Sequence, residues 1–340
     1  AERSVEDSVK LQLALGQLRR ASGDYRGKVL AIDPHRVRSY SQRQMRMHAK
    51  KSSEKPIKMA QTFWLLDADT EQPVCFTTAT SSRTVAQVTP QLLRMADEIF
   101  GPQRETLMLL ADMEHQGAEL LDHVAQQDGF EMLVPMANNQ ALRKQLKTIP
   151  AEAFTRRWAG FATMKQEYRM KRSQGGPFYQ YVQRSGERMS DWRYKAFLST
   201  ADGDEVEALT LEFPKRWHIE EFFNLDQALG WKRAGTMNLE IRYGQMTMAL
   251  LAQAAIHQLR MRLGEPINGW NANHLAKDLF QGLDGDVRVK RDTILVTYYN
   301  APNQKLLRTH YQDFPDKLAA EHIDPQVPWL YGFKLDFRFK

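Results

Sequence analysis

A single cysteine, Cys75, occurs among 340 residues. One thiol closes no internal disulfide and builds no cysteine-based zinc site, and such usage fits a reducing compartment, the cytoplasm. No run of about 18 apolar residues occurs, so no segment reads as a membrane span. The start, Ala1-Glu2-Arg3-Ser4, is polar and leads into no apolar stretch of the kind a secretory signal carries. Internal repeats and low-complexity tracts are absent too, which sets aside solenoid and disordered arrays. What is present is 42% apolar residues, enough for the core of one large domain or two ordinary ones.

The net charge is +6, and it is unevenly spread. Arg36, Arg38, Arg43, Arg46, Lys50, Lys51, Lys55 and Lys58 stand against Glu54 alone, a local +7. Arg143, Lys144, Lys147, Arg156, Arg157, Lys165, Arg169, Lys171 and Arg172 stand against Glu152 and Glu167, again +7. The remainder is net acidic. Two concentrated basic blocks suit a polyanion, although a solvated basic loop has the same composition.

Periodicity predicts an amphipathic helix over Val5 to Arg19 and a short strand from Gly27 to Asp33. The first basic block reads as a loop or irregular arm. Ala60 to Leu66 and Val74 to Thr80 read as a hairpin. Val85 to Phe100 has helical spacing, Thr106 to Ala111 is a buried strand, Gly117 to Gln127 a helix and Phe130 to Pro135 a strand. Hairpin strands followed by alternating strands and helices point to a mixed sheet with helices packed on it. Thr155 to Thr200 mixes aromatic and charged residues and reads as antiparallel β structure. Leu239 to Leu263 reads as a long helix, partly buried all round.

Two apolar strands end in lone aspartates, Asp33 and Asp112. In neighbouring parallel strands both would emerge at one carboxyl edge, where open α/β sheets place ligands. A third acid lies in Arg216-Trp217-His218-Ile219-Glu220-Glu221-Phe222-Phe223-Asn224, read as one helix. At about 100° per residue, Ile219, Phe222, Phe223 and Leu229 share a buried face, with Arg216 and Glu220 on its polar flank. Glu221 points a further ~100° round, toward solvent. Three converging carboxylates repel one another unless a cation joins them, and oxygen-only ligands suit Mg²⁺ or Mn²⁺. Two such ions about 4 Å apart are suited to phosphodiester chemistry. Singly, each acid has an ordinary reading: a strand-end Asp caps a turn, and a Glu four residues from an Arg forms a surface pair.

These residues resemble the catalytic domain of DDE transposases of bacterial insertion sequences, in the retroviral-integrase and RNase H-like superfamily. The nearest branch carries its last acid in a Tyr-x2-Arg-x3-Glu-x6-Lys signature. Arg216 and Glu220 match that spacing, whereas Phe213 replaces the Tyr, Gln227 the Lys, and Glu114 the Gly expected two residues after the second Asp. The resemblance spans roughly Gly27 to Leu263. It implies an α/β fold: an RNase H-like mixed sheet flanked by helices, with a β-rich insertion before the last catalytic helix. The expected divisions are an N-terminal helix (1–24), the first part of the core (25–140), the β insertion (141–203), the last part of the core (204–265) and a C-terminal α/β extension (266–340).

By resemblance, Asp33, Asp112 and Glu220 would hold two Mg²⁺ or Mn²⁺ ions. The reaction would be DNA strand cleavage at transposon ends, then strand transfer to target DNA. Double-stranded DNA is the implied partner, with a homodimer in the synaptic complex, no membrane, and a bacterial cytoplasm where the bound protein is nucleoid-associated. Candidate DNA contacts are Arg36, Arg38, Arg43, Lys50, Lys51, Lys58, Arg156, Arg157 and Arg216, with Trp192, then Trp158, as stacking aromatics. His115 and His35 read as structural, and Asp284 and Asp286 as a turn rather than a calcium loop. Two alternatives stay open: a transposase-derived DNA-binding protein without cleavage, and a structure-selective nuclease on the same fold.

Overall fold

The computed structural model describes residues 2–40, 42, 44, 47–48, 55–80, 82–101, 104–225, 227–231, 238–281 and 283–340. They form two compact units, Ala1–Asn224 with Lys232–Met248, and Leu225–Trp231 with Ala249–Lys340.

The first unit opens with helix α1 (Glu2–Ala21). Strands β1 (Val29–Arg38), β2 (Met47–His48), β3 (Ile57–Asp67) and β4 (Gln72–Thr80) follow. Then come α2 (Val85–Phe100), β5 (Leu107–Ala111), α3 (Ala118–Gln126), β6 (Phe130–Pro135) and α4 (Gln140–Lys147). Strands β7 (Arg156–Trp158), β8 (Phe161–Tyr168), β9 (Phe178–Ser185) and β10 (Arg193–Ser199) complete one ten-stranded sheet. The order is β2-β3-β1-β5-β6-β10-β9-β8-β7, with β4 also paired to β3. β1, β5 and β6 run parallel, and the other pairings are antiparallel. The β-rich segment before the last acid therefore continues the main sheet, because β10 pairs with β6.

Local chemistry explains most boundaries. Thr84 and Gln87 form a reciprocal capping box at the start of α2. Val88, Leu92, Leu93 and Ile99 of α2 then meet Leu30, Ile32, Leu109 and Ala111 of the sheet in the main core. α1 docks through Gln12, whose side chain accepts from the Phe76 amide at 2.9 Å and donates to the Tyr243 hydroxyl at 3.3 Å.

Two expectations are corrected here. β1 does not stop at Asp33 but runs to Arg38, because β3 stays paired with it through Arg38↔Met59. Pro34 imitates a strand end in the sequence. It stands past the last β1–β5 pair, Ile32↔Ala111, where one side of β1 has lost its neighbour and a missing N–H is tolerated. The basic block thus begins on a strand rather than in a loop.

The segment around the third acid is not one regular helix. A single α turn, α5 (Glu205–Glu207), passes into a π turn (Ala208–Glu212) and a 3₁₀ stretch (Phe213–Trp217), and α6 covers only His218–Leu225. Pro214 has no N–H to give the preceding turn, so the ladder changes register around it.

Helix α7 (Leu239–Leu263) contributes to both units, which part within it at 248/249. Its first turns carry Tyr243, packed on Phe76 at 5.1 Å, and buried Arg242, which donates to Thr62 at 2.9 Å. Its end places Leu263 with Ile267, Leu275 and Leu279 in the small core of the second unit. There α8 (Ala272–Leu275), β11 (Gly285–Lys290), β12 (Thr293–Tyr298), α9 (Gln304–Tyr311), α10 (Phe314–Ala320), β13 (Gln326–Val327) and β14 (Phe333–Phe339) give a sheet of order β11-β12-β14-β13. Asp286 lies on β11 rather than in the expected turn, bound to Arg288 and the Tyr299 hydroxyl. No helix among the described residues is long and apolar enough to cross a membrane.

Candidate active site

Register brings the two aspartates together. Ile32 of β1 pairs with Ala111 of β5, so Asp33 and Asp112 are the next residues on parallel neighbours. Ile32 and Ala111 belong to the core that also holds α2 and α3. Alternation along the strands turns Asp33 and Asp112 to the opposite face.

α6 packs on that face. Trp64 is the cross-strand partner of Asp33 and shares its side of the sheet. Phe222 meets Trp64 edge-on at 5.4 Å, and Phe223 lies on His35, two residues beyond Asp33, at 4.6 Å. Ile219, Phe222 and Phe223 are buried, as the helical phase predicts, while Trp217 is 56% exposed and lies outside the buried face. The α6 N-terminus is tied to the turn after β3: His218 Nδ1 bonds the Ala68 carbonyl at 2.6 Å and Lys215 pairs with Asp69. That turn is rigid. Buried Asp67 accepts from the amides of Gly27, Asp69 and Thr70. A Cβ on Gly27 would fall within 2.6 Å of the Asp67 and Asp69 side chains, so only glycine fits.

Glu220 is thereby held beside the aspartates. Arg216 Nη2 donates to its Oε1 at 3.0 Å, with only 17% of the Arg216 side chain exposed. Burial foremost, then the charge of Asp112, pushes Asp33 up from 3.8 to about 7. Glu220 pushes the same way, and Arg216 and Arg36 oppose it. The Asp33 carboxylate makes no hydrogen bond with any described residue. A largely buried carboxyl with no donor, facing two more acids, is costly as an anion.

Asp112 is handled differently. Its burial alone would raise it, but the His115 bond and charge, the Glu114 amide and Arg216 hold it below the usual carboxylate range. Oδ1 accepts from the Glu114 amide at 3.0 Å and from His115 Nδ1 at 2.9 Å, which leaves Oδ2 free among the described residues. Asp112 is thus also the cap of the short 3₁₀ turn Met113–His115. His115 is 1% exposed and its Nε2 has no partner among the described residues, so the Nδ1–H tautomer fits the geometry. The sequence hinted at this only through the three-residue spacing from Asp112.

The basic candidates are placed as follows. Arg36 forms a bidentate pair with Glu114 (2.7 and 2.5 Å) and bonds Gln61, so it buttresses the site. Arg156 pairs with Asp204 at 2.6 Å, and Arg157 donates to the carbonyls of Phe154 and Ala151. Arg38 is exposed beside Tyr40, and Lys58 is half-buried with a partner. Arg43, Lys50 and Lys51 lie outside the described residues. The Trp192 ring is covered by Arg184, whose guanidinium lies 3.8 Å from it and 4.5 Å from Phe154. Trp158, 39% exposed, stacks on exposed Phe161 at the β7–β8 turn.

The model of the transposase DDE domain matches residues 24–254, and no curated protein matches. Among solved structures, the chain is similar to a piggyBac transposase synaptic complex with hairpin DNA, at 10% identity and a TM-score of 0.42. That match covers 68% of this chain and 48% of the other. A Mos1 transposase paired-end complex with left transposon end is matched at 14% identity and a TM-score of 0.22, over 39% of this chain and 42% of that one. The chain thus spans less than half the length of either. With the family model matched over more than half of its residues, the chain belongs to the transposase DDE domain family.

Proposed function

We propose that this transposase domain cuts DNA at transposon ends and joins the freed strand to target DNA, with Asp33, Asp112 and Glu220 as the metal-holding acids. The observation that carries the reading is Asp33: largely buried, its carboxylate without a hydrogen-bond donor among the described residues, and raised to about 7 by burial and the neighbouring acids. A divalent cation removes that cost, and an oxygen-only donor set fits Mg²⁺ or Mn²⁺. The chemistry such ions supply is activation of a water or 3′-hydroxyl and stabilisation of the leaving oxygen.

The chain's own groups would prepare the site. His115 fixes Oδ1 of Asp112 and leaves Oδ2 for a ligand. Arg216 orients Glu220 and balances part of the acidic charge. The Arg36–Glu114 pair braces the strand beside Asp33. Arg38 and the residues of the first basic block would take phosphates, and Trp158 is better exposed than Trp192 for stacking on a base. Double-stranded DNA and a second copy of the chain are the partners in this reading.

The test is a nicking and strand-joining assay on duplexes carrying the element ends, with Mg²⁺ or Mn²⁺. Asp33→Asn, Asp112→Asn and Glu220→Gln should each abolish both products while binding persists. Full activity in all three variants would overturn the proposal. Cutting without joining would assign a nuclease, and binding without either would assign a DNA-holding domain.

A further inference from the structure

We infer a second metal site, for a Zn²⁺-class ion, formed by Glu71, His218 and Glu221. One donor atom from each lies within 4.8 Å of the other two. The site uses none of the three acids above and does not depend on the reaction assigned to them.

The imidazole is the first argument. His218 Nδ1 lies 2.6 Å from the Ala68 carbonyl. A carbonyl only accepts, so Nδ1 carries a proton, and Nε2 is the ring nitrogen left to face an ion. Metal-binding histidines are held this way, with one ring N–H on a backbone carbonyl and the other nitrogen on the ion.

The carboxylates are the second argument. Glu71 and Glu221 are exposed and form no ion pair or hydrogen bond with any described residue. The nearby cation on this segment, Lys215, pairs with Asp69 instead. Two acids are therefore brought together beside a nitrogen donor with no described cation between them. Helical phase explains why Glu221 is available: it points about 100° away from Glu220.

The donor set selects the ion. One imidazole and two carboxylates, with a position left for water, suit Zn²⁺, while Mg²⁺ prefers oxygen alone and near-octahedral geometry. Donors at ~2.1 Å from a tetrahedral ion sit roughly 3.4 Å apart. The two exposed carboxylates need to close by about an ångström, which rotation of either side chain supplies. A bound ion would join the turn after β3 to the first turn of α6, reinforcing the His218 and Lys215 attachments.

The experiment uses the full chain carrying Asp33→Asn, Asp112→Asn and Glu220→Gln together, so that the catalytic acids cannot hold metal. Zn²⁺ alone is titrated in by calorimetry, and the melting temperature is followed with and without it. One Zn²⁺ per chain is expected, with a raised melting temperature and no displacement by millimolar Mg²⁺. His218→Asn keeps an amide donor for Ala68 but removes the ligand nitrogen, and Glu221→Gln removes a surface charge that folding does not use. Each should weaken Zn²⁺ at least tenfold and abolish the thermal shift, and Glu221→Gln carries the test if His218→Asn fails to fold. No binding, binding that both variants leave unchanged, or displacement by Mg²⁺ would overturn the inference.

Discussion

Phe222 meets the ring of Trp64 edge-on at 5.4 Å, and Trp64 is the cross-strand partner of Asp33. The contact links the sheet that carries two acids to the helix that carries the third. Phe222→Ala should therefore act twice. Loss of a buried aromatic costs about 3–5 kcal/mol, seen as a lower urea midpoint. Loss of the helix anchor should also weaken Mg²⁺ or Mn²⁺ binding under conditions where the variant remains folded. Metal affinity equal to wild type would separate α6 docking from the site.

Asp33 predicts a pH dependence with a definite sign. Its folded value is raised to about 7 from 3.8, so the folded chain binds the extra proton between those values. Stability without metal should fall as pH rises from about 4 to 7 and level off above, by at most about 4 kcal/mol. Asp33→Asn should flatten this slope and stabilise the metal-free protein at neutral pH. Denaturation in EDTA from pH 4 to 8 checks it; parallel curves for the two proteins contradict the assignment. Metal binding near pH 7 should release a proton, read from the buffer dependence of the binding enthalpy.

His115 and Asp112 make the opposite case. Removing the imidazole takes away the interactions that hold Asp112 low and fix its Oδ1. His115→Ala should weaken divalent metal by about 10–100-fold, and His115→Asn, which still offers an N–H, should restore much of that. A loss of stability with metal affinity untouched would make His115 a packing residue only.

The strand end at Asp112, α2 and the phase that separates Glu220 from Glu221 are legible in the sequence, because each depends on spacing within one element. Long-range pairing is not. Nothing local announces that Arg36 is held by Glu114, 78 residues away, or that Arg184 covers Trp192. Pro34 reads as a stop, yet β1 passes through it because its partner on one side has already ended. The aromatic-rich segment reads as an insertion because its composition changes, while its β10 edge simply extends the sheet from β6. The single helix expected at Arg216–Asn224 is 3₁₀ up to Trp217 and α only from His218, a difference that helical periodicity barely registers over two turns.

The two tryptophans proposed for stacking are distinguishable by what each supports. Trp158 is 39% exposed and rests on Phe161, itself exposed, so its removal uncovers little core. Trp158→Ala should leave the melting temperature nearly unchanged and weaken binding to unpaired or flipped bases by about 1–3 kcal/mol. Trp192 instead faces a charge: Arg184 is 8% exposed, its Nη1 has no hydrogen-bond partner among the described residues, and its guanidinium lies close to the rings of both Trp192 and Phe154. Taking away one ring leaves a desolvated cation with less compensation, about 2 kcal/mol for a cation–π contact of this kind. Trp192→Ala should therefore lower stability first, with any loss of DNA affinity tracking the unfolded fraction. A stable Trp192→Ala protein with weakened DNA binding would exchange the two roles, and fluorescence-anisotropy titrations beside thermal melts decide between them.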